Sequence, residues 1–339
     1  MATIKDISEL AGVSQATVSR VINGTSRVAY DKKLKVEKAI DALSYRKKVM
    51  KSPSFASGSG CIGVVVPDFS EPLYADTLKN IEDKLRECNY HVLASAGSST
   101  ENSQRRSVEF LLGRRVDALI LYTPHLSDDY LISLEAQDIP VVVVNRYIPE
   151  IETSCINIDN ELGGKLAAQY LLKMGHKKIA CISGPLDSSE ARERLQGYRT
   201  AIEEAGLNYS EALVSQARLT CESGAHAMQK LLNRKEEFSA VFACYDQLAF
   251  GALKSLQEQG YKVPEQISLI GFNNHMFTRY LASPLTTVKF PVEQMCLEAV
   301  QLILQKINNQ EHDVNFNLVP ALVVRDSVGA VAQNMQHVY

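Results

Sequence analysis

Near the N-terminus, apolar residues recur every three or four positions. Ile4, Ile7, Leu10 and Ala11 form one stripe, Val18, Val21 and Ile22 a second, and Val36, Ala39, Ile40 and Leu43 a third. This period predicts three short amphipathic helices. Thr3 followed by Asp6 reads as a capping-box start, Gly12 stops the first helix, and Ser14 is placed to cap the second. Three such helices, with a tight Gly-Val-Ser turn between the first two, make a helix-turn-helix unit. From residue 61 the pattern changes. Apolar runs CIGVVVP (61–67), HVLASAG, DALILYT (117–123) and PVVVVNR (140–146) alternate with amphipathic helical segments, the first from about Pro72 to Cys88. The pattern restarts with CINIDN (155–160), followed by KIACISG (178–184), FSAVFAC (238–244) and ISLIGF (267–272). Near-continuous apolar strands between helices imply parallel sheets covered on both faces, in number enough for two doubly wound α/β domains. The stripe Val292, Met295, Cys296, Ala299, Val300, Ile303, Leu304 and Ile307 is a packing face of a further helix.

The polar side of the second helix is unusual. Gln15, Ala16, Ser19, Arg20 and Asn23 share it, in place of the ordinary Lys/Glu mixture. Side chains that are short near the backbone suit a helix entering a major groove about 12 Å wide. Arginine addresses guanine with two bonds, glutamine addresses adenine, and alanine touches a thymine methyl, so Gln15, Ala16 and Arg20 are candidate base readers. Thr17, Ser19 and Asn23 suit phosphate oxygens, and Thr3 and Ser14 at the helix starts complete the set of DNA-binding candidates. Charge supports this reading. Residues 1–51 carry eleven Lys/Arg against five acids, a net +6, while the remainder of the chain carries −9. A basic head on an acidic body points to a polyanionic partner for the head alone.

Composition narrows the remaining classes. With 339 residues, 45% hydrophobic and 22% charged, the chain is globular, and it has no apolar run long enough for a bilayer. A cytoplasmic protein without a membrane partner is expected. The seven cysteines form no CxxC and sit mostly inside apolar segments, as reduced, buried thiols do. GSGCIG (58–63) satisfies GxGxxG, but its glycines precede a strand, whereas a phosphate-binding turn follows one and opens a helix. The histidines show no metal spacing, and His176 reads as structural. Neither cofactor nor metal is expected, and the chain is not read as an enzyme.

In doubly wound sheets, ligands bind beyond the carboxyl ends of the strands. The polar residues there are Asp68, Asn145, Arg146, Asp246 and Asn273, with Arg192 and Arg194 opening a helix after ISGPLDSS. Planar Asn, Asp and Arg groups beside an aromatic face, here Phe69, Tyr74 or Tyr245, suit a neutral hydroxyl-rich ligand.

TIKDISELAGVSQATVSRVING resembles the N-terminus of the lactose/galactose repressor (LacI/GalR) family of bacterial transcription regulators, and the likeness extends along nearly the whole chain. GHKKIACISGP, RERLQGY, YDQLAFGAL, VPEQISLIGF and SPLTTVKFP are similar to that family's regulatory core. The resemblance implies a periplasmic-binding-protein-like core of two subdomains that close on a small effector, with three chain crossings between them. It implies a homodimer on a pseudo-palindromic operator, and a repressor whose DNA affinity answers to a sugar. It places Asn145, Arg194, Asp246 and Asn273 at effector-contacting positions, and NRYIP, RERLQGY and LIGF lean toward the galactose-repressor branch. The expected domains are a DNA-binding head at 1–46, a hinge at 47–60, one subdomain at 61–158 with 290–317, and a second at 159–289 with 318–333.

Two departures from the family pattern matter. Gly271-Phe272-Asn273-Asn274 stands where the family has Gly-Phe/Tyr-Asp-Asp, which replaces an acceptor-only group by one that also donates. In the hinge, SYRKKVMKSPSFASGSG has Lys47 and Lys48 in place of Pro-Asn, and Pro53-Ser54 closes the motif. Pro53 disfavours helix at Ser52, so hinge-driven bending is expected to be weak or to use Met50 or Phe55 as the wedge. The alternative is a small-molecule sensor whose DNA binding is impaired by that hinge. The C-terminal AVAQNMQHVY has no heptads, and no coiled-coil tail is expected.

Overall fold

The apolar stripes of the N-terminal segment meet in one small core. A computed structural model describes residues 4–23, 28–42, 58–98, 100–137, 139–234, 236–310 and 317–331, and the chain divides into two units at Ser57 and Gly58. In the first unit, helices α1 (Ile4–Ala11), α2 (Gln15–Asn23) and α3 (Tyr30–Ala42) bury Ile7, Ala11, Val18, Val36 and Ala39, with Val13 and Val21 packed against them. Leu10, expected in this core, is instead 57% exposed. The short α1 turns it away from α2 and α3, and Ile7 and Ala11 are the described side chains of this helix that enter the core. Gly12 ends α1 in the left-handed region at φ 64°, which glycine enters without steric cost. Ser14 Oγ then accepts the Thr17 amide at 3.2 Å and starts α2 as its cap. Thr3, Leu43 and the hinge residues Lys47, Lys48, Met50, Pro53, Ser54 and Phe55 lie outside the described residues.

The second unit holds two six-stranded sheets. In chain order its elements are β1 (Cys61–Val66), α4 (Pro72–Glu87), β2 (His91–Ala96), α5 (Glu101–Gly113), β3 (Ala118–Leu121), α6 (Asp128–Glu135), β4 (Val141–Val144), β5 (Cys155–Ile158) and α7 (Asn160–Lys173). They continue with β6 (Ile179–Ser183), α8 (Ser189–Glu204), β7 (Val214–Gln216), α9 (Cys221–Leu232), β8 (Ala240–Ala243), α10 (Asp246–Glu258) and β9 (Ser268–Asn273). The last are β10 (Thr286–Lys289), α11 (Val292–Ile307), β11 (Asn317–Leu318) and β12 (Ala321–Val323). The first sheet runs β11-β5-β4-β3-β1-β2 and is parallel throughout, while the second runs β12-β10-β9-β8-β6-β7, with β12 antiparallel. CINI therefore belongs to the first sheet, and the second begins at KIACIS. The chain passes between the sheets three times, after β5, after β10 and between β11 and β12.

In both sheets the strand order reverses beside the first strand of the set, which opens a crevice at the carboxyl ends there. β1, β3, β4, β6, β8 and β9 are almost wholly buried, as their unbroken apolar runs require. α11 covers the first sheet with Met295, Cys296, Ala299, Val300, Leu302 and Ile303. The glycine-rich stretch at 58–60 leads into β1, and the Asp117 carboxylate accepts the Gly60 amide at 2.7 Å. Paired helices on the second sheet touch through glycine. A Cβ on Gly197 of α8 would stand 1.9 Å from the Glu161 carbonyl oxygen of α7, and one on Gly164 of α7 2.1 Å from the Arg194 carbonyl oxygen of α8. Gly251 and Gly224 repeat this between α10 and α9.

Candidate DNA-reading face and effector cleft

On α2, Gln15, Ala16 and Arg20 are exposed and Thr17 is half-buried. Ser14 is committed to the helix start, its hydroxyl 2.9 Å from that of Thr17 as well as capping the amide. Ser19 and Asn23 lie on the same helix. The apolar side of α2 is pinned by Val18, so the three exposed side chains are held on a rigid element pointing to solvent.

In the larger unit, strand ends from both sheets converge on one buried carboxylate. Glu190, in the first turn of α8, is 2% exposed. It accepts the Tyr122 hydroxyl at 3.2 Å and the Asn145 amide from the ends of β3 and β4, and the Tyr245 hydroxyl at 3.0 Å from the end of β8. One turn along α8, Arg194 is fully buried, with Nη2 3.8 Å from the Glu190 carboxylate. Arg194 Nε donates to Asn160 Oδ1 at 2.9 Å, and Nη1 donates to the Cys244 carbonyl at 2.9 Å and to Asn273 Oδ1 at 3.4 Å. Its guanidinium lies 3.8 Å from the Phe272 ring centre and 4.4 Å from that of Tyr245. Nη2 has no hydrogen-bond acceptor. Asn160 closes the ring by donating to Asn145 Oδ1 at 3.0 Å.

The backbone marks the same places. Asn145, Asn273 and Asn274 have φ of 58°, 114° and 57°. Asparagine tolerates this region better than other residues with a Cβ, and such positions cluster at ligand sites. Beside Asn273 and Phe290 lies a cavity of about 440 Å³, walled further by Leu73, Asp76, His275 and Lys289.

The sequence-derived candidates separate into groups. Asn145, Arg194, Tyr245 and Asn273 belong to the buried network, and Tyr74 stacks its edge on Tyr122 at 5.0 Å. Phe69 is half-exposed, outside that network. Asp246 accepts the His275 amide at 2.6 Å and the Thr287 hydroxyl at 2.7 Å, tying α10 to the segment after β9 and to β10. Arg146 pairs with Asp128 at 2.6 Å, and Arg192 donates to the Leu186 carbonyl at 2.9 Å, so both serve local structure. His176 bridges Ser239 Oγ at 2.8 Å and the Gly329 carbonyl at 3.0 Å, a structural role as expected. All seven cysteines are free: Cys155, Cys181, Cys244 and Cys296 are buried, while Cys88 and Cys221 are exposed. Tyr122, Asn160 and Glu190 were missed. Glu190 and Arg194 stand at i,i+4 on one helix, a pairing signal present in the sequence.

Burial pushes the Asp246 carboxyl up to about 7, against the two hydrogen bonds that favour its charged form. The folded state therefore holds this proton to higher pH than the unfolded chain. Its contribution to stability is full below the unfolded value near 4 and declines as pH rises toward 7. Asp246→Ala is accordingly expected to cost less stability at pH 7 than at pH 4.5. Urea unfolding of both proteins across that range checks this, and a cost that grows with pH would contradict it.

The chain's relatives agree with this geometry. Residues 59–324 match the family described as periplasmic binding proteins and sugar binding domain of LacI family, and residues 3–48 match bacterial regulatory proteins, lacI family. The HTH-type transcriptional regulator GalR of Escherichia coli (strain K12) is 35% identical over 99% of this chain and 98% of its own. The HTH-type transcriptional repressor PurR of Vibrio atlanticus (strain LGP32) is 33% identical over 97% of this chain and 99% of its own. Among solved structures, the lac repressor dimer bound to operator and the anti-inducer ONPF superposes with a TM-score of 0.80 at 28% identity, covering 97% of this chain and 99% of that one. The CelR–cellobiose complex gives 0.72 at 34%, covering 96% of this chain and all of that one. No helix among the described residues is long and apolar enough to cross a membrane. With a helix-turn-helix head, a two-sheet core and relatives of this identity along its whole length, the chain belongs to the LacI family of bacterial regulatory proteins and is a DNA-binding transcriptional regulator.

Proposed function

We propose that the chain acts as a repressor that binds a pseudo-palindromic operator as a homodimer, its affinity controlled by a hydroxyl-rich effector, a sugar, held between subdomains 61–158 with 290–317 and 159–289 with 318–333. The observation that carries this reading is the convergence of strand-end donors from both sheets on one buried site. A ligand that joins Tyr122 and Asn145 to Arg194, Tyr245 and Asn273 bears on both sheets at once, and so favours one arrangement of the core over another. Linkage then makes operator affinity depend on ligand, in the direction of whichever state the ligand prefers. The matched family is described as a sugar binding domain, and one of the similar structures is a complex with cellobiose. Met276, Phe277 and Tyr280 form an exposed apolar segment of the kind that a second copy covers. The exposed face of α2 speaks against a sensor that has lost its DNA reader.

Selection of random duplexes on the purified protein at moderate salt, with and without sugars, tests the reading. An enriched inverted repeat that a sugar releases or strengthens is expected. Absence of any enriched repeat under either condition would overturn it. Within that operator, Arg20→Ala is expected to weaken binding by about 1–3 kcal/mol and relax preference at one base position. Competition with single-base operator variants reads this directly, and an unchanged preference would remove Arg20 from the readers.

A further inference from the structure

The cleft around Arg194 is unbalanced in charge. Arg194 faces Glu190 on its own helix, and two further part-buried carboxyls, Glu71 just before α4 and Glu193 on α8, lie close enough to feel the charge of Glu190. Burial, then Glu190, Glu71 and Asp68, push the Tyr74 hydroxyl well up, with Arg194 acting against them. Burial, with Asp68 and Glu190 nearby, holds Glu71 up to about 7. At the outer cavity, Arg279 and Lys289 are matched by Asp76 and Glu293, so the imbalance belongs to the inner cleft.

The Arg194 Nη2 group, buried without an acceptor, is the open donor of the site. Glu190 is its acid neighbour, so a group entering between them meets a donor and an acceptor together. A hydroxyl serves both, donating a hydrogen bond to Glu190 and accepting one from Nη2. An ammonium also donates to Glu190. A phosphate or carboxylate satisfies Nη2 but meets Glu190 as a like charge in a site closed to water, where repulsion is weakly screened.

We propose that Glu190 sets the charge class of the effector, admitting neutral or amine-bearing polyols and excluding their phosphorylated or carboxylate-bearing counterparts. This rests on the effector reading above.

Calorimetric titration of the full-length protein with matched sets tests it. The neutral members are galactose, glucose, ribose and cellobiose; the charged ones are galactosamine, glucosamine, galacturonate, glucuronate and the corresponding sugar phosphates. A neutral or amine-bearing member is expected to bind, with its anionic counterpart weaker by at least about tenfold. Glu190→Gln should shrink that ratio by at least about threefold by strengthening the anionic member, and Glu190→Asp should preserve it. Unfolding midpoints establish that both variants are folded. An anionic sugar that binds the wild type as tightly as its neutral parent would overturn the proposal and leave the effector reading standing, as would a ratio indifferent to Glu190→Gln in the folded variant. Failure of every member to bind would overturn the effector reading itself, and this inference with it.

Discussion

Replacing Arg194 by alanine is expected to lower the stability of the core by about 3–5 kcal/mol and to abolish its response to effector. The side chain is fully buried, so its removal leaves a void between Phe272 and Tyr245 and withdraws the cation from Glu190. The acceptors Asn160 Oδ1 and the Cys244 carbonyl lose their donor as well. Breaking one side of a buried pair costs more than the pair is worth, because the remaining charge stays out of water. Arg194→Lys keeps the charge but not the planar fork that reaches Asn160 and Cys244 together, and should fall between wild type and alanine. Urea unfolding of the core gives the loss directly, and ligand-induced shifts of its midpoint give the response. The head has its own apolar core around Ile7, Val18 and Val36, so operator binding should persist wherever the variant remains folded. An alanine variant with an unchanged midpoint would show that neither the pair nor the stacking stabilises the core.

Gly197→Ala is expected to cost on the order of 3 kcal/mol, although it adds a single methyl group. That methyl would meet a backbone oxygen on α7, and neither helix has a flexible side chain to yield at that point. Since Gly164 makes the reciprocal contact with the Arg194 carbonyl, separating α7 from α8 also shifts Arg194 and Glu190 relative to Asn160 at the start of α7. Effector affinity should therefore fall along with stability. Gly206→Ala on the same unit is the contrasting case: its Cβ meets open space, and its φ of 72° adds backbone strain without disturbing helix packing. Midpoints and effector titrations on the two variants separate these causes, with loss of affinity expected for Gly197→Ala alone. Equal loss in both would rule out close helix approach as the reason.

Much of this molecule was legible in local pattern. The head's helices, eight strands of the two sheets and the packing stripe of α11 lie where apolar periodicity placed them. β7, β10, β11 and β12 escaped notice, because strands of two or three residues, or one of four such as TTVK with a single apolar side chain, carry too little pattern to stand out from loops. Leu10 shows the limit in the other direction, since a stripe one turn long does not say how much of it a small core will cover.

The site divides along the same line. Local pattern was enough to show that polar residues follow the strands, that Gln15, Ala16 and Arg20 share the outer side of α2, and that the basic charge is concentrated in the head. These properties repeat within one turn or one strand, or are sums over a segment, and need no knowledge of distant contacts. Tertiary structure alone decided that Tyr122 meets Glu190 across 68 positions and Tyr245 meets it across 55, that Asp246 braces His275 and Thr287, and that Phe69 stays half-exposed. Which strand ends face one another depends on sheet order, on three crossings and on helices brought together at glycine. The strength of the Glu190–Arg194 contact depends on burial, because removing water from around both groups strengthens what would be an ordinary i,i+4 pair on an exposed helix.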